Sequence, residues 1–216
     1  MKIRDSRKPT VVAPGAGLNN IPNISNVTGG HSGTSYAAPF VTGVVAAQLQ
    51  REPNEILKPE GVLGTLVCAA QPLPSATGTF DNKSGFGLVY FSSMSGIDML
   101  GQYFSVSTDN TGNIVATKQI IGLANRTVKV CLVWLANSRQ TTTSGTPSVS
   151  FTDYDLKVYD SNGNLIGQSI GLTNMEVVTF QTTSAIIALY DANVYQFSNK
   201  KNSYTDFGFM GAGFIF

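Results

Sequence analysis

The sequence predicts an α/β fragment over residues 1–93 followed by an all-β domain, a jelly roll or β-sandwich, over 94–216. Two observations predict it. Through residue 93, short apolar segments alternate with two helix-like runs. From about Ser95 onward the apolar residues recur with period two, and turn residues interrupt them at roughly ten-residue spacing. A chain of 216 residues is long enough for one large domain or two smaller ones, each with its own core. It contains no internal repeat and no low-complexity tract.

Each element has a local reason. Val11-Val12-Ala13 reads as a short buried strand, and 19–28 as a polar loop or hairpin. A helix is expected over 34–50, because small residues (Ala37, Ala38, Gly43, Ala46, Ala47) alternate with Phe40, Val41, Val44, Val45 and Leu49 around nearly the whole circumference. Such a helix is expected to be buried. A second helix is expected over 59–70, opened by Pro59 in its first turn. Strands follow over 128–135, 154–160, 176–181, 185–190, 194–197 and 207–216, with a Thr- and Ser-rich loop over 136–150. Asp160-Ser161-Asn162-Gly163-Asn164 is a turn, since Asn and Gly accept positive φ.

Composition excludes several function classes. With 14 basic and 13 acidic side chains the chain offers no cationic patch for nucleic acid or an anionic membrane. No run approaches the ~18 apolar residues a membrane span needs. A charged fraction of only 12%, with 22 glycines, fits a β-rich extracellular protein. Cys68 and Cys131 both lie in apolar surroundings, which favours buried free thiols over a disulfide. Four Asn-x-Ser/Thr sequons, at Asn23, Asn26, Asn82 and Asn125, carry no weight in a chain this rich in Asn, Ser and Thr.

The segment Gly33-Thr34-Ser35-Tyr36-Ala37-Ala38-Pro39 places a serine at the start of the first predicted helix. Unpaired backbone N–H groups and the positive end of the helix dipole converge there, and negative charge developing beside them is stabilised. Capping alone explains many Gly-Thr-Ser tripeptides, because such hydroxyls accept hydrogen bonds from first-turn amides. The small-residue helix behind this one exceeds what capping needs.

GTSxAxP closely resembles the serine motif of the subtilisin-like serine proteases, and Lys8-Pro9-Thr10-Val11-Val12-Ala13-Pro14-Gly15 is similar to the strand and loop that precede it in that family. Gly85-Phe86-Gly87-Leu88-Val89-Tyr90 resembles the family's closing segment. The resemblance implies a serine endopeptidase acting on proteins and peptides. Ser35 would be its nucleophile and oxyanion donor through its own N–H, with Gly33 and Thr34 shaping the turn and Pro39 helping to seat the helix. The family's triad runs Asp, His, Ser along the chain. The other two members, and the oxyanion asparagine, are therefore expected upstream of Met1, on a missing catalytic segment that is the chain's implied partner. His31 does not match the family's base and is expected to be a loop residue at the rim. Without base or orienting acid the chain alone is expected to be nearly inert.

Residues 95–216, with DYDLKVYDSNGNLIGQS and NMEVVTF, resemble the β-sandwich domains that follow the catalytic domain in many bacterial members, of the pre-peptidase C-terminal or proprotein-convertase P type. In such domains acidic residues near this strand sometimes hold calcium; Asp153, Asp155 and Asp160 are the candidates, against the plainer reading of solvated strand-end acids. No cofactor is otherwise required. The resemblance implies a secreted parent, extracellular or at the cell surface. A binding or stabilising role for the sandwich, and a pseudoprotease, stay open beside the enzyme. The C-terminal half is expected to fold by itself, the N-terminal half not.

Overall fold

The computed structural model describes residues 8–17, 30–53, 58–74, 79–90, 101–135, 139–143, 146–150, 152–182, 187–198 and 205–215. The expected domain junction at 93 and the expected loop or hairpin at 19–28 lie outside the described residues. Helix α1 spans Thr34–Arg51 and α2 spans Pro59–Ala69, with proline in the first turn of α2 as expected. Ten strands follow: β1 Gln102–Val106, β2 Ile114–Gly122, β3 Thr127–Trp134, β4 Arg139–Thr143, β5 Thr146–Ser150, β6 Asp153–Asp160, β7 Leu165–Ser169, β8 Met175–Gln181, β9 Ala188–Ser198 and β10 Asp206–Ile215.

Eight of the strands form two four-stranded antiparallel sheets, ordered β1-β10-β3-β8 and β2-β9-β6-β7, and β4 pairs with β5 as a separate ribbon. Alternation explains how the sheets pack, because successive side chains of a strand point to opposite faces. Val128, Val130, Leu132 and Trp134 of β3 enter the space between the sheets, where they meet Tyr154, Leu156 and Val158 of β6 and Ala192 and Val194 of β9. Two of the large polar side chains inside are paired: Trp134 Nε1 donates to the Thr152 carbonyl at 3.1 Å, and the Tyr154 hydroxyl donates to Asp206 Oδ2 at 2.7 Å.

The other face of β3 is buried too. Lys129, Cys131 and Val133 point away from the sandwich interior, and Cys131 and Val133 pack with Leu66, Val67, Cys68, Ala69 and Phe86 from the N-terminal segment. Helix α2 thus lies on the outside of the β1-β10-β3-β8 sheet, as a third layer against β3 and β10. Its approach requires Gly64, where a Cβ would fall 2.2 Å from Phe209 Cδ1.

Four expectations change here. The first helix forms where expected, but it is not buried: only Gln48 is, while Val41, Val44 and Val45 are half-covered and Phe40 is 47% exposed. Only one side of α1 meets the outer layer. Cys68 and Cys131 are not free thiols but a disulfide, because α2 brings their Cα atoms to 5.7 Å, within the usual span of such bridges. The expected loop over 136–150 contains the β4–β5 ribbon, whose Thr-rich sequence suits strands. The strands expected at 185–190 and 194–197 are one continuous β9. Asp191 and Asn193 do not break it, since β2 and β6 pair with it on both sides and Thr117 Oγ1 donates to Asn193 Oδ1 at 2.8 Å. In the N-terminal segment the described pairing is limited to bridges, Val12 parallel to Leu88 and Gln71 antiparallel to it.

Candidate active site at the start of the first helix

The chain enters α1 through an extended Gly33, at φ 160° and ψ 156°, a conformation open to any residue. The glycine that this turn requires is Gly15. The Gly33 N–H donates to the Gly15 carbonyl at 2.7 Å, and a Cβ on Gly15 would lie 2.8 Å from the Gly33 carbonyl oxygen and 2.9 Å from Ala37 Cβ. The loop carrying Val11, Val12 and Ala13 is thereby laid across the helix start. The Tyr36 N–H turns back to the Gly33 carbonyl at 3.1 Å, and among the described residues no side chain caps the helix.

Ser35 is the second residue of α1 and stands exposed to solvent. The capping role that competed with the nucleophile reading is therefore not the one its hydroxyl plays. Thr34, also exposed, joins Gly33, Ala37, Ala38, Val11 and Ala13 in lining a cavity of about 560 Å³ between the helix and the Val11–Ala13 stretch. Pro39 lies within α1, exposed in its second turn, where its missing N–H leaves the Ser35 carbonyl without the helical donor four residues on.

His31 is half-buried four residues earlier, its ring centroid 5.7 Å from that of Tyr36 and tilted 43° to it. Its Nε2 is enclosed and makes no hydrogen bond among the described residues. The ring packs on Tyr36, and no hydrogen bond joins it to Ser35 among the described residues. Among the described residues the constellation at the helix start is thus a presented hydroxyl and first-turn amides, without an engaged base.

The acidic candidates part ways. Asp153 and Asp155 both lie on β6, with a break in the β6–β9 register next to Asp153, and are 2% and 9% exposed; burial raises the Asp155 carboxyl, partly offset by Lys157. Asp160 belongs to the turn. Asn164 Nδ2 donates to its Oδ2 at 3.0 Å, and the Asn162 and Asn164 N–H groups donate to its Oδ1, which holds its carboxyl below the usual range. Among the described residues no group of three or more His, Cys, Asp or Glu side chains is placed to hold a metal ion. The residue that sequence reasoning missed is Lys129, whose burial was hidden by a strand that reads as half-exposed wherever a lysine interrupts it.

Residues 2–87 match the family model of the Subtilase family. The match supports a subtilisin-like segment and a serine-peptidase relationship at the level of the family. No curated protein matches the chain. Among solved structures, the enzymatically active domain of tailspike protein 4 of bacteriophage CBA120 is similar at 15% identity over 65% of this chain, with a TM-score of 0.27, too low to carry an argument. The chain spans 24% of that structure's length. Among the described residues no helix is long and apolar enough to cross a membrane.

Proposed function

We propose that this chain carries the nucleophile segment of a subtilisin-like serine endopeptidase, with Ser35 attacking the scissile carbonyl of a protein substrate and its own N–H among the oxyanion donors. The single observation that carries the reading is the exposed Ser35 on the first turn of α1, inside the segment that matches the Subtilase family. A serine hydroxyl needs a base oriented by a third group, and His31 is turned to Tyr36. An upstream catalytic segment, as partner, supplies Asp and His. The chain alone is inert.

The sandwich stabilises the nucleophile segment. The shared core of α2, Phe86 and the outer face of β3, and the Cys68–Cys131 bridge, support that role over one of binding a separate partner. The strand orders β1-β10-β3-β8 and β2-β9-β6-β7 support a jelly roll, which winds two Greek keys into such sheets. A disulfide supports an oxidising, extracellular location for the parent.

The test is complementation. Joined behind, or mixed with, a subtilisin-like segment bearing the Asp and His, the chain is expected to hydrolyse casein and react with a fluorophosphonate. Ser35→Ala removes both, with a loss on the order of 10⁶-fold, the size measured in subtilisin itself. The isolated chain shows neither. Stoichiometric labelling of the isolated chain that vanishes in His31→Ala would make His31 the base and overturn the complementation reading.

A further inference from the structure

We propose that Lys129 is a proton-controlled clasp between the Ser35-bearing segment and the β-sandwich, closing as a neutral amine and tightening as the solution becomes more alkaline. Lys129 lies on the outer face of β3 and is 1% exposed. Its Nζ donates to the Ala70 carbonyl at 2.9 Å and to the Phe86 carbonyl at 3.0 Å. Those acceptors come from two different pieces of the N-terminal segment, the end of α2 and the turn before Leu88. A neutral amine has two N–H groups, and the two carbonyls satisfy both. An ammonium has three, and among the described residues the third meets no oxygen, only the Phe86 ring at 5.6 Å.

Nor, among the described residues, does a counter-ion face it. On the elements packed against Lys129, Glu60 sits in the first turn of α2, at the far end from Ala70. Asp81 is engaged with the N–H groups of Lys83 and Ser84, and Lys83 is exposed. On the flanking strands, Glu176 accepts from Ser169 and Thr173 inside the sandwich, and Asp206 accepts from Tyr154. Burial without a counter-charge brings the Lys129 amine down to about 7.

The sign follows. An amine released to water titrates at its ordinary 10.5, while the clasped one titrates near 7. Between those values opening takes up a proton, so falling pH favours opening and rising pH favours closure. Below about 7 both forms are charged and the dependence ends. The adjacent Cys68–Cys131 bridge tethers the end of α2, so the opening is local and reversible.

Hydrogen exchange of the full chain, corrected for intrinsic rates, tests this between pH 7 and about 9.5. Protection of the α2 amides relative to those of β6 is expected to rise by up to about tenfold per pH unit. Lys129→Met, apolar and of similar length, is expected to abolish that slope, as is Lys129→Arg, which stays charged. A slope that persists in Lys129→Met, or a flat profile in the unsubstituted chain, overturns the clasp. Should the variants not fold, the ¹³Cε titration of Lys129 in the unsubstituted chain decides: a midpoint near 7 supports it, one in the ordinary lysine range overturns it.

Discussion

At the scale of the residue, Gly15 packs against the start of α1 while Ser35 stands exposed on it, and the two are expected to respond oppositely to change. Ser35 is exposed, so Ser35→Ala is expected to leave the unfolding midpoint within about 0.5 kcal/mol of the parent. Gly15→Ala drives a methyl into the Gly33 carbonyl and Ala37, neither of which is a flexible chain end, and is expected to cost roughly 1–3 kcal/mol. Urea denaturation compares the two directly. A Gly15→Ala chain as stable as the parent would mean that the loop does not lie across the helix start.

At the scale of the element, α2 is held by packing and by a covalent bridge, and α1 by one partly covered side. The Cys68–Cys131 bridge closes a loop spanning 63 residues in sequence, for which chain entropy gives roughly 4 kcal/mol of stabilisation. The Cys68→Ser/Cys131→Ser pair is therefore expected to lose several kcal/mol, and the parent chain to show no thiol toward Ellman's reagent in denaturant. Titration of two thiols would contradict the bridge. Both cysteines looked like free apolar thiols in sequence, because each sits among apolar neighbours and nothing local reveals that a helix will bring Cys68 above Cys131. Helix α1 shows the converse. Its all-round apolar pattern encodes burial, yet Phe40 is exposed, since burial depends on which neighbours are present to cover it.

At the scale of the whole molecule, a third layer joins the two halves. Expressed alone, residues 101–216 would expose Lys129, Cys131, Val133, Met175 and Val177, a lysine among the apolar residues that α2 and Phe86 now cover. The β6–β9 side keeps its interior, so the piece is expected to fold, but with a lower melting temperature than the full chain and with binding of a hydrophobic dye. The N-terminal piece alone is expected to lack a cooperative transition, because its described strand pairing is limited to bridges and its largest apolar layer rests on β3. Equal melting temperatures for the C-terminal piece and the full chain would remove the sandwich's stabilising role.

Neighbours along the chain are enough to encode both helices, the proline start of α2, the alternation of β3, β6, β8 and β10, the Asp160–Asn164 turn, and a serine at a helix mouth. Those features follow from side-chain period, φ preference and capping chemistry, which act over a few residues. Only the tertiary structure decided which faces are covered. It paired Cys68 with Cys131, enclosed Lys129 between two carbonyls, turned His31 onto Tyr36 and left α1 half-open. It also made Gly15, rather than Gly33, the glycine the helix start requires. Each of these rests on contact between segments far apart in the chain or on a backbone path the residue alone does not dictate, and burial is a property of that meeting.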